Sequence, residues 1–338
     1  MLKTSVRRGF VLLALAAATG AVFAQAKTAK PATNAGAALN WPTKPVHIVV
    51  GFPGGSTPDL VARTIAEPLS KALGQPVIVD NKVGAGGNIA ADFIAKATDD
   101  HTIGVMINGN MTIAKLLNPA VPFDPIKAFQ PISLIGTAPL LLTAPASANF
   151  KDAQEFFLAA RNGGNKWSYG SPGVGTVGHI GMELLKTKTN IDPVHVPYPG
   201  NPQVIQAMIS GQIQLALLPP GLAAQQVRAG KLKAIGVTSI GRSSLVPEYP
   251  SLDESGVTRG LQLEIWTAAA APQSMPKPIV AKLSQLIADI ARTPEVRQKL
   301  FAQGWQVAGT SAEGLANRVK NDTALLGGII QMRGIRAE

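Results

Sequence analysis

Residues 46–63 read VHIVVGFPGGSTPDLVAR: an apolar run of strand length enters a glycine-rich turn, and the turn enters a helical pattern. The helix spans about 59–73, with Val61, Ile65, Leu69 and Leu73 on one face, an expected kink at Pro68 and an end at Gly74. The unit then repeats. A strand over 76–80 leads through NKVGAGGN into a helix over 89–98, and a third strand follows over 102–107. Alternation of strand and helix dictates a parallel sheet covered by helices. The turns after such strands gather along one sheet edge, where open α/β sheets bind ligands.

The pattern restarts further on. Extended runs QPISLIG and PLLLTAP precede helices over 151–161, 178–187, 202–210 and 221–230, separated by strands at KWSYGSP, 193–198, 213–219 and 232–239. This is a second α/β unit. The last third breaks the alternation: 261–272 is extended, and helices follow over 278–291, 294–303 and 312 to about 331. Thr293-Pro294 reads as an N-cap with proline at the first helical position, and Thr310-x-x-Glu313 as a capping box. Helices without strands cannot build a third sheet, so they pack back on the first. The expected organisation is a domain from 41–141 plus 240–338 and a second domain from 142–239, joined by two hinge crossings around a cleft.

The first 26 residues stand outside this scheme. Lys3, Arg7 and Arg8 precede an apolar run over 10–18, and small-x-small sites end at Ala24 and Ala26. This is the pattern of a secretory signal peptide, far short of the ~20 apolar residues of a membrane span. An uncleaved anchor is the competing reading, and Arg7-Arg8 leaves both the general and the twin-arginine export routes open. Residues 27–40 read as a flexible leader. Without the first 26 residues the net charge falls from +11 to +8. Lys and Arg are scattered, with no aromatic interleaving, which argues against nucleic acid. They form either a solvated basic surface or a field attracting anions. Zero cysteines exclude disulfides, thiolate catalysis and cysteine metal sites.

Three glycine turns carry the functional candidates. Phe52, Pro53, Gly54, Gly55, Ser56, Thr57 and Asp59 belong to the first, which lacks the lysine of a triphosphate-binding loop. Left are backbone N–H groups, two hydroxyls and a helix N-terminus, an anion cradle or an ordinary turn. Asp59 looks wrong beside an anion; it caps its helix or faces away and fixes the loop. Gly86, Gly87 and Asn88 form the second turn, and Asn108 and Asn110 follow the third strand. The third turn, 173–178, is formally G-x-G-x-x-G, but Asp192 precedes the next strand instead of ending it, which disfavours a dinucleotide. Ser171, Val174, Gly175, Thr176 and His179 there suit an oxygen-rich solute. If the two units face each other, these turns converge on one cleft of neutral donors. Catalysis finds little support: His47, His101, His179 and His195 make no ligand spacing, no G-x-S-x-G occurs, and His47 and His195 sit within strands. Trp266 is expected as a buried structural residue or a cleft wall.

WPTKPVHIVVGFPGGSTPDLVAR, GQPVIVDNKVGAGGNIAADFIAKA, FDPIKAFQPISLIG, GVGTVGH, VHVPYPG, AGKLKAIGVTS and TPEVRQKLFAQG occur in that order. Together they resemble the tripartite tricarboxylate transporter receptors, the Bug-type periplasmic substrate-binding proteins, from Trp41 to about residue 330. The resemblance implies an α/β, two-domain periplasmic binding protein of type II-like fold that closes on a small organic acid. It implies delivery to an inner-membrane permease, no chemistry on the ligand, no cofactor and a monomer in the periplasm. Family ligand loops match 52–59, 86–88, the Asn108 region and 171–179, with Pro219 on the second-domain wall. Gln214 replaces a usual acidic residue, Leu218-Pro219-Pro220 a usual polar one, and Pro199 stands in VPYPG where relatives carry VPYKG. The wall is thus expected to be less polar, favouring an aromatic or long-chain acid over citrate. An exported enzyme on the same scaffold and a partner for a periplasmic sensor domain are the alternatives. Bulky residues at Gly54, Gly55 or Gly175 are expected to abolish ligand stabilisation.

Overall fold

The computed structural model describes residues 40–336; the expected signal peptide over 1–26 and nearly all of the expected leader over 27–40 lie outside the described residues. Strand β1 (Val46–Val50) leads into helix α1 (Thr57–Leu73), β2 (Val77–Asn81), α2 (Asn88–Ala95), β3 (Thr102–Ile107), and the short α3 (Asn108–Thr112) and α4 (Ala114–Leu117). The eleven-residue β4 (Phe129–Pro139) is followed by β5 (Leu141–Pro145), α5 (Ala153–Gly163), β6 (Ser168–Ser171), α6 (Val177–Thr189), β7 (Val194–Pro197), α7 (Asn201–Ile209), β8 (Leu215–Leu218), α8 (Pro220–Arg228) and β9 (Leu232–Val237). Then come β10 (Glu264–Pro272), α9 (Lys277–Arg292), α10 (Pro294–Ala302), β11 (Gln306–Val307) and α11 (Ala312–Arg333).

Two sheets result, in the order β11-β4-β10-β3-β1-β2 and β7-β6-β8-β5-β9. Strands β1, β2 and β3 run parallel, as do β6, β7 and β8, so their following turns emerge on one edge. β10 is antiparallel to both β3 and β4, and β5 to both β8 and β9. The sheets are therefore mixed, because each chain crossing enters its new sheet against the prevailing direction. Apolar residues of α1, α9 and α10 cover one face of the first sheet, and those of α2, α3 and α11 the other. The second sheet lies between α5 and α6 on one side and α7 and α8 on the other.

The chain leaves the first sheet through Leu140 and returns through 238–263 into β10. Thr238, fully buried, ties both crossings together: its hydroxyl accepts from Leu140 N–H at 2.8 Å and donates to Leu263 C=O at 2.8 Å. Val246 joins the α7/α8 core, and Leu252, Leu261 and Leu263 join the α5/α6 core. Most buried apolar residues of the stretch 240–263 thus pack with the second sheet, beyond the expected boundary at 239/240, while Leu245 packs on the first-sheet core. It reads as polar turn chain, and only the apolar residues spaced through it anchor it there.

Pro68 lies inside α1, as expected. The capping of two helix starts differs from expectation. Thr293 is the N-cap of α10, but its hydroxyl donates to Ile290 C=O at 2.8 Å and makes no cap bond. The N-cap of α11 is Ser311, accepting from Gly314 N–H at 3.2 Å, because Thr310 is drawn away to Leu134 N–H on β4.

Candidate functional site

The two rows of strand ends face each other across a cavity with about 500 Å³ of atom-free space, part of it open to solvent. From the first domain, Phe52, Ser56, Thr57, Pro58, Ile107, Asn108, Ile265, Trp266, Thr267 and Trp305 line it. Leu140 at the hinge joins Pro172, Thr176, Val177, Gly178, Asn201, Leu217 and Pro219 of the second domain. None of these residues is charged.

What replaces charge is helix ends. The seventeen-residue α1 brings Ser56, Thr57 and Pro58 to the cavity, and the thirteen-residue α6 brings Thr176, Val177 and Gly178. Each N-terminus carries about half a positive elementary charge. Two of them together roughly balance one carboxylate. Thr176 is committed to its own helix, accepting from His179 N–H at 3.4 Å. Ser56, the N-cap of α1, makes no cap bond, and its buried hydroxyl has no hydrogen-bond partner. Asn201 reaches across the cleft to Thr57 Oγ1 at 3.5 Å.

The remaining expected residues sit around the cavity in supporting positions. Asp59 is buried behind the first turn, where its carboxylate accepts from Gly55 N–H at 2.9 Å, from Asn81 Nδ2 at 2.9 Å and from Arg63 Nε at 3.1 Å. Burial alone would raise its pKa, but the Arg63, Asn81 and Gly55 hydrogen bonds and the Arg63 charge outweigh that and hold it below the ordinary carboxylate value. Asn81 Nδ2 also donates to Phe52 C=O at 2.8 Å, so Asp59 and Asn81 fix the loop from behind. Gly54 and Gly55 face open space. Pro53 lies against Gly200 of the second domain.

Gly86, Gly87 and Asn88 are held by Asn110, whose Nδ2 donates to Gly86 C=O at 3.0 Å and Asn88 Oδ1 at 2.8 Å. Their use is close approach. A Cβ on Gly86 would stand 2.5 Å from Val174 C=O, and one on Gly173 would stand 2.8 Å from Gly86 Cα. Gly109 meets Gly175 in the same manner, and Gly221 meets the Gln303–Gly304 backbone at another rim. Glycines thus let the domains touch backbone to backbone. Gly86, Asn88, Val174 and Gly175 line a separate hollow on this seam, along with Pro199.

Ser171 and His179 back the third turn. Ser171 Oγ lies 2.7 Å from His195 Nε2, and Gly175 N–H donates to His179 Nδ1 at 3.3 Å. Burial, then the charges of His179 and Lys186, push the His195 pKa down to about 3. His195 stacks between Tyr169 and His179, while His47, on the interior strand β1, is bonded to Asp80 at 2.6 Å. Neither histidine reaches the cavity. Trp266 is both a buried residue, donating to Asp322 at 2.5 Å, and part of the cavity wall. Thr267, Trp305 and Asn201 were not legible as site residues in the sequence, since no glycine turn marks them.

Two α/β domains, two crossings pinned at one threonine and a neutral cavity between facing helix ends define a two-domain solute-binding protein. The family model for the tripartite tricarboxylate transporter family receptor matches residues 61–335, and the chain belongs to that family. A UPF0065 protein from the tcbD-tcbE intergenic region of Pseudomonas sp. strain P51 is 33% identical over 84% of each chain. MatC from Rhodopseudomonas palustris, solved with bound malate, is 32% identical, covers 86% of this chain and 100% of its own, and superposes with a TM-score of 0.81. A second R. palustris protein, solved with adipate, is 28% identical over 88% of this chain and 99% of its own, with a TM-score of 0.84.

Proposed function

We propose that this protein is an exported, periplasmic receptor that captures one small organic acid in the inter-domain cavity and presents it to a tripartite tricarboxylate-type inner-membrane permease. The observation that carries this is the cavity itself: two helix N-termini of complementary sign to a carboxylate, enclosed by two domains, with no titratable side chain in the lining. A general acid or base must reach its proton within about 3 Å, and the lining supplies none. Relatives solved with malate and adipate support a carboxylate ligand.

The rest of the wall favours an acid with an apolar body. Ile107, Leu140, Leu217, Pro219 and Ile265 form it, while Gln214 turns away to Ser168 N–H at 2.8 Å. Proline at 219 and 220 also removes backbone donors from the start of α8. A second carboxylate on this wall would be buried without a counter-charge. A thermal-shift screen of monocarboxylates, dicarboxylates and aromatic acids tests the proposal: stabilisation by apolar monocarboxylates, with the ligand recovered unchanged, is expected. Preferential stabilisation by citrate, or turnover of the ligand, would overturn it.

A further inference from the structure

Among the described residues, seven buried side-chain polar atoms have no hydrogen-bond partner, and three of them, Ser56 Oγ, Thr267 Oγ1 and Trp305 Nε1, are on residues that line this one cavity. Exposure of these residues is 1%, 0% and 2%. Buried polar groups are paired in folded proteins because an orphan costs ~1–3 kcal/mol. Three orphans around one cavity are therefore a pattern that calls for an acceptor.

Their placement separates them into two points. Ser56 stands at the α1 N-terminus, with the carboxylate cradle. Thr267 and Trp305 come together elsewhere, through the sheet. Thr267 on β10 pairs with Gly136 on β4, and β11, just after Trp305, pairs with the same Gly136 from the other side. Gly136 has no side chain, and a Cβ there would stand 3.3 Å from Trp305 Cβ and 3.5 Å from its Cε3. The Cβ and Cε3 side of Trp305 thus lies against Gly136, the cross-strand partner of Thr267. An indole N–H can only donate, and a hydroxyl can donate beside it. Each of these two donors needs an acceptor, and the protein supplies none.

We propose that Thr267 and Trp305 form a second recognition point, which reads a neutral acceptor oxygen, a carbonyl or hydroxyl, on the body of the acid. The ligand class is then an oxo- or hydroxy-monocarboxylate, not a plain alkanoate or a dicarboxylate. The inference rests on the carboxylate-receptor reading above, and goes beyond it by naming the ligand's other polar group and the residues that select it. A site built to pair a polar group discriminates against ligands lacking it, since its own donors are then left unpaired.

Calorimetric titration tests this with two pairs of acids, pentanoate against 4-oxopentanoate and hexanoate against 5-oxohexanoate, plus glutarate and adipate. For the native protein at least one oxo acid is expected to bind roughly tenfold or more tighter than its parent and than the dicarboxylates. Trp305→Phe, which keeps an aromatic ring, and Thr267→Val, which keeps the shape, should each shrink that gap to within about threefold. The two variants guard each other against misfolding, and melting curves check both. Equal affinity for oxo and plain acids, a gap surviving in both variants, or a dicarboxylate preference would overturn the second recognition point alone. Failure of every acid to bind the native protein would overturn the receptor reading with it.

Discussion

The two domains meet through bare backbone, so ligand-linked closure can be tested by adding one methyl group. Gly86 and Gly74 have nearly the same left-handed conformation, φ/ψ of 61°/28° and 68°/15°. Alanine at either pays the same conformational cost, about 1 kcal/mol of stability. They differ in what the methyl meets. At Gly74, the C-cap of α1, there is nothing within 4 Å; at Gly86 the methyl stands 2.5 Å from Val174 C=O in the opposite domain. That contact needs about 1 Å more room, and overpacking of this kind costs ~1–3 kcal/mol. The clash exists only when the domains touch, so it falls on ligand binding, roughly 5- to 150-fold in Kd. Gly74→Ala and Gly86→Ala should therefore lower the melting temperature of the free protein alike, while only Gly86→Ala weakens binding of the most stabilising acid and speeds its release in stopped flow. Gly221→Ala, at another rim and outside the cavity lining, should also weaken binding. Equal affinities for Gly74→Ala and Gly86→Ala would refute closure by glycine contact. Gly54, expected from the sequence to abolish ligand stabilisation when replaced by a bulky residue, has nothing within 4 Å of a Cβ and should tolerate alanine, whereas Gly55 at φ 78° carries the left-handed cost despite equal room.

Asp59→Asn should destabilise the protein by about 2 kcal/mol at pH 7, a figure reduced because Arg63 is half exposed. The Asp59 pKa is depressed on folding, so its contribution is complete above the unfolded value near 3.9 and fades as pH falls through the folded one. Native and variant melting temperatures should draw together as pH falls below the unfolded value; a constant difference would count against the assignment. His195 is held neutral, with a pKa of about 3 against 6.5 unfolded. The unfolded chain binds the proton first, so stability should fall as pH drops from about 6.5 toward 3, and His195→Asn should flatten that slope; identical slopes would oppose this. Asn110→Ala releases the 86–88 turn and should cost ~1–2 kcal/mol in chemical denaturation and weaken acid binding. Unchanged affinity would show that the turn needs no such support.

Much of the fold follows from local pattern. The VHIVV run, the turn after it and the Val61, Ile65, Leu69 stripe form a strand, turn and helix because each level agrees. The restart after β4 and the closing helices are equally local. Less legible was anything set by pairing at a distance. The stretch 240–263 is placed by a few apolar residues on the second core, and Thr310 loses its cap role to β4. The site divides along the same line. Phe52, Ser56, Thr57, Asn108, Thr176 and Pro219 follow strand ends, and line the cavity. Thr267 and Trp305 enter from antiparallel neighbours of β4, brought together over Gly136. Asp59 posed a charge conflict in the sequence, and the structure resolves it by turning the carboxylate to Gly55, Arg63 and Asn81 behind the loop.

The central claim is that a neutral cavity holds a carboxylate by helix ends and donors instead of by a cation. Calorimetric titration of the native protein with its most stabilising acid and with the primary amide of that acid tests it most directly. The two helix N-termini should favour the acid by roughly thirtyfold, with one site and a preference weakly dependent on salt. An amide that binds as tightly as the acid would contradict the account.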